Sequence, residues 1–571
     1  MKYTHTNNEL NVEHLGQKVF LKGWAAKVRD LGGLLFIDLR DRFGITQLVV
    51  KPGNRNYQNA LKIKNEFVLE AQGIVIERES KNKKIPTGEI EVDVTDIEIL
   101  NASENPPIIV SNETDALEET RLKYRYLDLR RPVMQNYLIK RHQITQVIRN
   151  VLVEEGFYEL ETPILGKSTP EGARDYLVPS RLYPGQFYAL PQSPQIYKQL
   201  FMIAGFEKYF QIARCFRDED SRADRQPEFT QVDIEASFVD ESDIKKLMEK
   251  ILVKTFKQVL DVDVEHPFPI MSYQHAMDVY GSDKPDTRYE LKIKDYTRFF
   301  TNHEIPLFEG KSMIRGLIVS DGSSITRKRL DVLTEIVKKN HGEALAYIRY
   351  QDQSFSGSIV KNIKGDQLEQ LKLESGNLLL LVPGDFEDVS QSLGALRAQL
   401  AIDLHLIPEH TYRFVWINEW PLLEYHEEDQ RFYAKHHPFT APTDIQTLMH
   451  NPKAAYAKAY DIALNGYEIG GGSIRIHDQE TQKLMFKTLG LSKEDVQNRF
   501  GFFVDALKYG TPPHGGLAFG LDRIVMMMTD TSNIKDVIAF PKTQSAKDLM
   551  MHAPSEVDDI QLEELKLKVG K

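Results

Sequence analysis

The chain has little cysteine, little tryptophan and no long apolar run. Of its 571 residues one is a cysteine, Cys215, and three are tryptophans. A lone cysteine excludes a disulfide framework and a zinc site made of cysteine thiolates. The apolar runs, such as Leu378 to Val382, are far shorter than the roughly 20 residues that span a bilayer. The opening segment MKYTHTNNEL lacks the basic and then apolar order of a secretory signal, so we expect a cytoplasmic protein with no membrane partner.

The common nucleotide-binding loops are also missing. Gly166-Lys-Ser168 and Gly310-Lys-Ser312 resemble the end of a P-loop, but the earlier glycine of that motif is Glu161 in one case and Ile305 in the other. No G-x-G-x-x-G follows a predicted strand. If this protein uses ATP, it must hold the nucleotide in another way.

The composition is typical of a folded, multidomain protein with an acidic balance. Hydrophobic residues make up 41% and charged residues 27%, which excludes a largely disordered chain. The net charge of −11 argues against a nucleic-acid partner, but binding depends on local patches. Residues 121–150 carry eight basic side chains and one acid, Asp128. This basic run is either a solvated face or a place where a polyanion docks, and the sequence leaves both open.

Five segments in the first hundred residues predict strands separated by Gly, Pro and Asn. In the last segment Ile90, Val92 and Val94 face one way, while Ile97 and Ile99 continue one position out of step. Such a slip indicates a β-bulge, which helps a small sheet to close. We therefore predict an OB-type barrel over residues 1–105, a fold that often binds single-stranded nucleic acid. The strands are Val19–Trp24, Leu34–Leu39, Ile45–Val50, Phe67–Ile76 and Glu89–Leu100, with a short helix at Ala60–Glu66.

The rest of the chain divides into a linker and two further domains. Prolines and acidic residues indicate a linker or hinge over 106–130. Apolar residues from Ile144 to Leu152 recur at helical spacing, Pro132 is suited to begin that helix, and Gly156 is placed to end it. Residues 284–411 alternate short strands and helices and hold few candidate catalytic groups. We therefore predict a larger domain of residues 131–283 and 412–571, split by an inserted domain.

Two segments have the character of phosphate-binding elements. Strands at Tyr209–Arg217 and Phe229–Phe238 flank an eleven-residue loop with seven charges, longer than a hairpin needs, and Arg217 at its start is placed to grip a phosphate. Gly515–Arg523 predicts a strand, a glycine turn and a helix start, which attracts anions. The second strand alternates, with Asp233 and Glu235 on the same side. Taken alone, the first segment also fits an ordinary exposed hairpin, and the second fits a tight packing corner.

A third segment combines glycines with acidic residues. In Glu468–Arg475 three glycines allow a close backbone approach to a ligand, and Glu468 with Asp461 has the chemistry to hold Mg²⁺. Two such acids are also common surface residues. His436 and His437 would point to opposite faces of a strand, so they make a poor pair of metal ligands. One buried, hydrogen-bonded histidine is the simpler interpretation.

In their order along the chain, these segments resemble the motifs of the class II aminoacyl-tRNA synthetases. The helix, strand and Pro163 match motif 1, FRDEDSRADRQPEFTQ (Phe216–Gln231) matches motif 2, and GLAFGLDR (Gly516–Arg523) matches motif 3. The HIGH and KMSKS signatures of the other class are absent. TPEGARDY, QSPQIYKQL and HHPFT, which begin at Thr169, Gln192 and His436, extend the resemblance to the bacterial aspartyl-tRNA synthetases, from the barrel to the C-terminal segment.

This resemblance implies an α+β multidomain enzyme. Its parts are an N-terminal OB-fold β-barrel that reads the anticodon, a class II synthetase antiparallel-sheet catalytic domain, and an inserted α/β domain of the GAD type. The implied activity is that of an AMP-forming aspartate–tRNA ligase, which makes aspartyl-adenylate and pyrophosphate and then transfers L-aspartate to the 3′ end of tRNA(Asp). The resemblance also implies ATP as substrate, Mg²⁺ and no zinc, and a homodimer. Whether tRNA(Asn) is charged as well is left open by the sequence.

The resemblance also assigns roles to single residues. Arg217 would hold the α-phosphate, Phe229 and Arg523 would cover the two faces of adenine, and Lys198 and Arg475 would bind the side-chain carboxylate of aspartate. The catalytic set is Arg217, Glu219 and Arg523, and the ATP set is Arg217, Asp218, Glu219, Gln226, Phe229, Glu468, Gly520, Leu521, Asp522 and Arg523. The aspartate set is Glu171, Ser193, Gln195, Lys198, Arg217, Asp233, Arg475 and one of His436 and His437; the Mg²⁺ set is Asp461 and Glu468, and the anticodon set is Arg29, Phe36 and Gln47.

Charge would let such a pocket choose its substrate. Asparagine would leave Lys198 and Arg475 unpaired, at a cost of about 3–5 kcal/mol, and glutamate is one methylene too long. Two other hypotheses are a non-enzymatic OB-fold binder with a degenerate body and a class II enzyme for asparagine or lysine. The presence of both cations, together with the ATP residues, argues against each. At His341-Gly-Glu-Ala344 the insertion departs from the Gly-Ala-Lys-Gly-like segment of the family, so no residue there is given a role.

Overall fold

The computed structural model describes residues 3–169, 173–219, 223–301 and 304–570. The chain forms two compact units, Met1–Arg141 with Lys535–Glu556, and His142–Ile534 with Val557–Lys571. The domain boundaries drawn from the sequence follow a different division and stay a prediction. Among the described residues we find no helix whose length and apolarity would let it span a bilayer.

The elements of the first unit and of the helix that leaves it are β1 Lys18–Leu31, β2 Leu34–Arg40, β3 Ile45–Val50, α1 Tyr57–Ala60, β4 Val68–Glu77, β5 Ile90–Asn101, α2 Glu118–Lys123, α3 Arg125–Asp128 and α4 Pro132–Glu154. The second unit continues with β6 Tyr158–Glu159, β7 Leu177–Pro179, β8 Phe187–Ala189, α5 Gln195–Ile203, β9 Lys208–Phe216, β10 Glu228–Ser237, α6 Glu241–Leu260, β11 Ile270–Ser272 and α7 Tyr273–Tyr280. Then come β12 Lys294–Asp295, α8 Thr297–Phe300, β13 Met313–Val319, α9 Arg327–Lys339, β14 Ala346–Gln351, β15 Ser354–Gly357, α10 Gly365–Leu368, β16 Leu378–Gly384 and α11 Phe386–Asp403. The last are β17 Phe414–Asn418, β18 Leu423–His426, β19 Arg431–Ala434, α12 Ile445–His450, β20 Ala459–Leu464, β21 Tyr467–Ile474, α13 Gln479–Thr488, α14 Lys493–Ala506, β22 His514–Gly520, α15 Leu521–Met528 and α16 Asp559–Leu565.

The first five strands close into a barrel in the order β1-β2-β3-β5-β4. Only β3 and β5 pair in parallel, and apolar side chains from all five strands fill the interior. Val94 and Asp96 of β5 lie opposite Gly73 and Gln72 of β4, which leaves Thr95 as an extra residue. The bulge predicted from the out-of-step isoleucines is thereby confirmed. It lets the strand keep its apolar residues inside while it bends around the barrel.

The helix predicted at Ala60–Glu66 is wrong. The helical turn lies one turn earlier, at Tyr57–Ala60. Glu66 has a positive φ of 68°, which breaks helical geometry, and both of its carboxylate oxygens accept hydrogen bonds from Arg40 at 2.9 and 2.8 Å. The segment therefore reverses into β4 instead of continuing the helix.

Arginines of the basic run surround one buried carboxylate. Asp128 accepts hydrogen bonds from Arg121 at 3.0 Å and from Arg125 and Arg131 at 2.7 Å each. Burial alone would raise the pKa of Asp128, but Arg121 and Arg131, with Arg125, lower it overall. These three arginines are structural, so a solvated face is wrong for them, while docking of a polyanion near the basic run stays a prediction.

An eight-stranded sheet forms the platform of the second unit, in the order β11-β17-β20-β21-β22-β10-β9-β6. The edge strands β11 and β6 run parallel to their neighbours, and the inner pairs are antiparallel. The antiparallel sheet predicted for the catalytic domain is confirmed. Because side chains alternate along a strand, Asp233 and Glu235 of β10 share one face while Val232 and Ile234 lie on the other.

A separate antiparallel sheet, in the order β12-β13-β16-β14-β15, lies within Lys294–Gly384. Its central strand β16 is buried along its whole length, so each face of the sheet packs against its own apolar core. Helices α9 and α11 supply side chains to one of these cores. The alternation of strands and helices predicted for this part of the chain is confirmed.

Candidate active site

Two clefts on the eight-stranded sheet collect most of the residues that the sequence singled out. The smaller encloses about 920 Å³ and the larger about 1330 Å³, and Arg217, Glu219 and Glu468 line both. The smaller cleft is also lined by the predicted ATP residues Gln226, Phe229, Gly520, Asp522 and Arg523. The larger cleft is also lined by the predicted aspartate and metal residues Ser193, Gln195, Lys198, Asp233, His436, His437, Asp461 and Arg475.

A cluster of four charged side chains is buried at the larger cleft. Nζ of Lys198 lies 3.2 Å from Oδ1 of Asp233 and 3.5 Å from Oε2 of Glu235. Arg475 donates from Nε and Nη2 to the two oxygens of Glu235, at 2.9 and 3.1 Å. The side chains of all four are at most 2% exposed. Glu235 therefore ties the two cations together, and neither cation is without a carboxylate partner.

The two carboxylates of this cluster respond differently to burial. Burial raises the pKa of Asp233, and the nearby Lys198 only partly offsets it. Burial also acts on Glu235, but Arg475 and Lys198 outweigh it and lower the pKa of that carboxyl. Glu235 therefore favours its charged form more strongly than Asp233 does. Oδ2 of Asp233 is buried, and no donor from the described residues reaches it, so it is available to a ligand.

The two adjacent histidines have different surroundings. Nε2 of His437 lies 2.6 Å from Nη1 of Arg475, which can only donate, so Nε2 acts as acceptor and the ring is neutral. Burial, reinforced by Arg475, lowers the pKa of His437 well below its usual value. His436 instead places Nε2 3.6 Å from Oδ2 of Asp461 and lies edge-on to Trp420. His437 is hydrogen-bonded, as the interpretation of a single structural histidine requires, but its side chain is half-buried, as is that of His436.

The smaller cleft is lined by an aromatic ring, Phe229, and by the arginines Arg217 and Arg523. The guanidinium of Arg217 lies 5.0 Å from the ring centre of Phe229. Arg523 donates to the carbonyl of Glu468 at 2.8 Å and lies 3.2 Å from a carboxylate oxygen of Asp224. A flat aromatic ligand with phosphates fits such a cleft, because rings stack on it and the guanidinium groups meet anionic oxygens.

The predicted metal ligands line the larger cleft together. Burial raises the pKa of Asp461, His436 opposes this effect, and Glu468 and Asp283 add to it. Oδ1 of Asp461 is buried, and nothing in the described part of the chain donates to it. A Cβ on Gly471 would lie 2.5 Å from that oxygen, so any side chain there would force the carboxylate of Asp461 to shift. Among the described residues, no three or more candidate metal ligands are grouped together. Mg²⁺ usually binds through one or two carboxylates, with water and phosphate oxygens as its other ligands.

Some predicted residues stand apart. Glu171 lies outside the described residues. Asp218 and Leu521 line neither cleft: Asp218 faces Arg174, with 3.9 Å between the charged atoms, and Leu521 is only 1% exposed. Their assignment to ATP stays a prediction.

The sequence also missed some residues at the clefts. Glu235 was seen only as part of an alternating strand, Asp224 only as one charge in a loop, and Trp420, Lys435 and Asp283 were not singled out although they line the larger cleft. The alternation that put Asp233 and Glu235 on one face was the available signal for Glu235.

The predicted anticodon residues share one wall of the barrel. Arg29 and Phe36 are register partners on β1 and β2, and Nη2 of Arg29 lies 3.2 Å from Oε1 of Gln47. Two further residues complete a polar network there. Arg78 donates to Gln47 at 2.6 Å, and Gln47 donates to Glu91 at 2.6 Å. Phe36 is half-buried, so part of its ring remains open to a base.

The chain matches two families. Residues 117–544 match "tRNA synthetases class II (D, K and N)", and residues 19–100 match "OB-fold nucleic acid binding domain". The chain therefore belongs to the class II tRNA synthetases and is an ATP-using aminoacyl-tRNA synthetase with an N-terminal OB-fold domain. The hypothesis of a non-enzymatic binder is wrong.

Within this class, two relatives that match along the whole chain bear the name of aspartate–tRNA(Asp/Asn) ligases. The aspartate–tRNA(Asp/Asn) ligases of Geobacillus sp. (strain WCH70) and Bacillus cereus (strain ATCC 10987 / NRS 248) are each 50% identical over 582 residues, covering 99% of this chain and 98% of theirs. Among solved structures, the asparaginyl-tRNA synthetase of Pyrococcus horikoshii with asparaginyl-adenylate matches with a TM-score of 0.61 and 21% identity, over 95% of this chain and 99% of that one. The latter likeness shows the fold.

Proposed function

We propose that this chain activates L-aspartate with ATP and transfers the aspartyl group to both tRNA(Asp) and tRNA(Asn). The observation that carries the proposal is the convergence of Lys198 and Arg475 at one cleft, beside a second cleft that suits a nucleotide. The printed names of the relatives at 50% identity support the choice of amino acid and of both tRNAs.

In this proposal the chain positions the reactants and neutralises charge. The side-chain carboxylate of aspartate meets Lys198 and Arg475, and its ammonium group meets the open oxygen of Asp233. The α-carboxylate is then directed at the α-phosphate, which Arg217 holds while the adenine lies on Phe229. Such positioning, with charge stabilisation by fixed donors, lowers the barrier without a protein nucleophile.

Mg²⁺ belongs to the same proposal. Asp461 and Glu468 would hold it at the clefts they line, and when bound it would neutralise phosphate charge. The absence of zinc from the reaction stays a prediction.

We also propose a cytoplasmic homodimer. Around Pro163 of motif 1 the chain exposes Tyr158, Ile164 and Leu165, each more than half exposed at 62%, 51% and 53%. Exposed apolar side chains near one segment favour a protein interface, and the resemblance to the family implies a homodimer built largely on motif 1. Sedimentation at micromolar concentration would measure the assembly, and a monomer there would contradict it.

The deciding experiment charges purified tRNA(Asp) and tRNA(Asn) side by side with labelled aspartate and labelled asparagine. We expect aspartate on both tRNAs and asparagine on neither. Asparagine-dependent ATP–pyrophosphate exchange would favour the alternative class II specificity. Charging of tRNA(Asp) alone would restrict the proposal to one tRNA.

A further inference from the structure

Three chain segments meet beside the two clefts and close a ring of hydrogen bonds. They are residues 173–175, 190–192 and 216–219. The N–H of Phe216 donates to the carbonyl of Pro191 at 2.9 Å, which joins the second segment to the third. The N–H of Asp218 donates to the carbonyl of Arg174 at 3.0 Å, which joins the third to the first as an isolated antiparallel bridge.

Gln192 closes the ring between the first and second segments. Its side-chain amide donates to the carbonyl of Ala173 at 2.9 Å and to the carboxylate of Asp175, and its oxygen accepts the N–H of Ala173 at 3.3 Å. Ser168 holds the other oxygen of Asp175 at 2.6 Å. Gln192 is only 5% exposed, and the partly buried bonds of its side chain fix the short stretch from Ala173 to Asp175 against the segment of Gln192.

This ring connects the groups assigned to the two small substrates. Gln192 directly precedes Ser193, which belongs to the predicted aspartate set. Asp218 belongs to the predicted ATP set with its neighbours Arg217 and Glu219, and Arg217 is in the aspartate set as well. A ligand that fixes one of these segments therefore also fixes the others, although Gln192 belongs to neither set.

We propose that Gln192, acting through Ala173 and the Arg174–Asp218 bridge, is a positioning residue that couples aspartate binding to ATP binding. The proposal rests on the proposed function. Each ligand favours the bridged arrangement of the three segments, so the second ligand binds a chain that is already ordered. By thermodynamic linkage, each ligand raises the affinity for the other by the same factor.

The first test measures this factor by calorimetry. The dissociation constant of L-aspartate is measured with and without α,β-methylene-ATP, and that of the nucleotide with and without aspartate. In the native chain we expect each constant to fall by the same factor, within about 5- to 150-fold. In Gln192→Ala we expect that factor to fall to about one, with the affinity for aspartate alone nearly unchanged, because no contact assigned to aspartate is removed.

Gln399→Ala is the matched control. Gln399 of α11 also donates its amide to an aspartate, Asp403, at 2.8 Å, but it lies in the element that covers the inserted sheet. This variant loses a bond of the same kind and should keep the native coupling factor.

A second pair of substitutions tests the bridge in the opposite direction. Partners in an antiparallel bridge have Cα atoms about 4.5–5.5 Å apart, within the range of a disulfide, so Arg174→Cys with Asp218→Cys can be cross-linked. Cys215, the natural cysteine, is buried. In the oxidised form we expect the affinity for aspartate without nucleotide to rise to the native value with nucleotide, and reduction should reverse the change. In Gln192→Ala, by contrast, the affinity for aspartate in the presence of nucleotide should fall below that of the native chain.

The outcomes separate the coupling from the proposed function. A native factor of one, or an unchanged factor in Gln192→Ala, overturns the coupling and leaves aspartate activation standing. A native chain that binds no aspartate overturns both. If Gln192→Ala does not fold, the cross-linked pair decides, and equal aspartate affinity in its oxidised and reduced forms overturns the proposal.

Discussion

Replacing Lys198 by methionine removes one cation from the larger cleft while keeping the length of the side chain. Lys198 is 1% exposed, and its charge is shared between Asp233 and Glu235 at 3.2 and 3.5 Å. A hydrogen bond to a charged group contributes about 1.5–3 kcal/mol, and each 1.4 kcal/mol is about tenfold in affinity. We therefore expect kcat/KM for aspartate to fall about 10- to 150-fold in Lys198→Met.

The same substitution should reduce selectivity. Asparagine brings no anion to Lys198, so removing that cation takes no contact from asparagine, and its poor reaction should not become slower. The preference for aspartate over asparagine should then fall by at least the factor that is lost in kcat/KM for aspartate. Asp233, whose pKa burial already raises, can take up a proton when it loses Lys198, which limits the cost to folding.

ATP–pyrophosphate exchange with each amino acid measures both quantities, and thermal unfolding confirms that the variant is folded. Lys245→Met is the matched control, because Lys245 is also buried, at 8% exposure, but lies 5.5 Å from the ring of Tyr460 and pairs with Glu241. It should keep the preference for aspartate. Native selectivity in Lys198→Met, or an equal loss in Lys245→Met, would refute the assignment of Lys198 to the substrate carboxylate.

Three further predictions follow from other parts of the molecule. Arg217→Ala should lower ATP–pyrophosphate exchange by about 10²- to 10³-fold or more, as for the loss of one fixed donor to a developing charge, and undiminished exchange would contradict its role. His437 has a pKa lowered mainly by burial, so the unfolded chain takes up a proton near the ordinary histidine value of about 6.5 that the folded chain does not. The contribution of His437 to the free energy of unfolding is complete above that pH and is lost as the pH falls. Between pH 7 and 5, chemical denaturation should therefore show a smaller decline in the free energy of unfolding for His437→Gln than for the native chain, and the native decline for the exposed His450→Gln. Phe36→Leu should raise KM for tRNA by about 5- to 150-fold, the value of one stacked base, without changing exchange, while Phe43→Leu should change neither; an unaltered KM in Phe36→Leu would exclude stacking there.

Local patterns predicted much of this fold because the forces that set them act over a few residues. The alternation in β10 and the phase slip in β5 follow from side chains that must point alternately into a core, and both were visible in the sequence. The residues of motifs 2 and 3 were found for a different reason, their resemblance to a known family. β10 and β22 pair directly, so Gln231 and Gly520 become register partners and the two motifs meet in one cleft.

Burial and long-range pairing were not visible in the sequence. Glu235 binds Arg475 across 240 positions, and no local pattern announces that contact. The count of charges suggested that the basic run is a surface, whereas three arginines of the run form ion pairs with the buried carboxylate of Asp128. In the same way Glu66 interrupts a stretch with helical composition because Arg40 holds it in a turn.

Lys198 and Arg475 are each paired with a carboxylate of the protein, and this changes how selectivity for aspartate must arise. Both cations already have carboxylate partners, so asparagine would not leave two bare charges, and the full cost of an unpaired buried ion does not apply to both. Glu235 holds Arg475 with two hydrogen bonds, whereas Asp233 holds Lys198 with one oxygen, and its other, buried oxygen receives no hydrogen bond from the described residues. An amino acid whose ammonium group binds Asp233 draws that carboxylate away from Lys198. Lys198 then loses the nearer of its two carboxylate partners. The side-chain carboxylate of aspartate replaces Asp233 beside Lys198, whereas asparagine has no such carboxylate. Binding of the ammonium group, which both amino acids have, therefore favours aspartate.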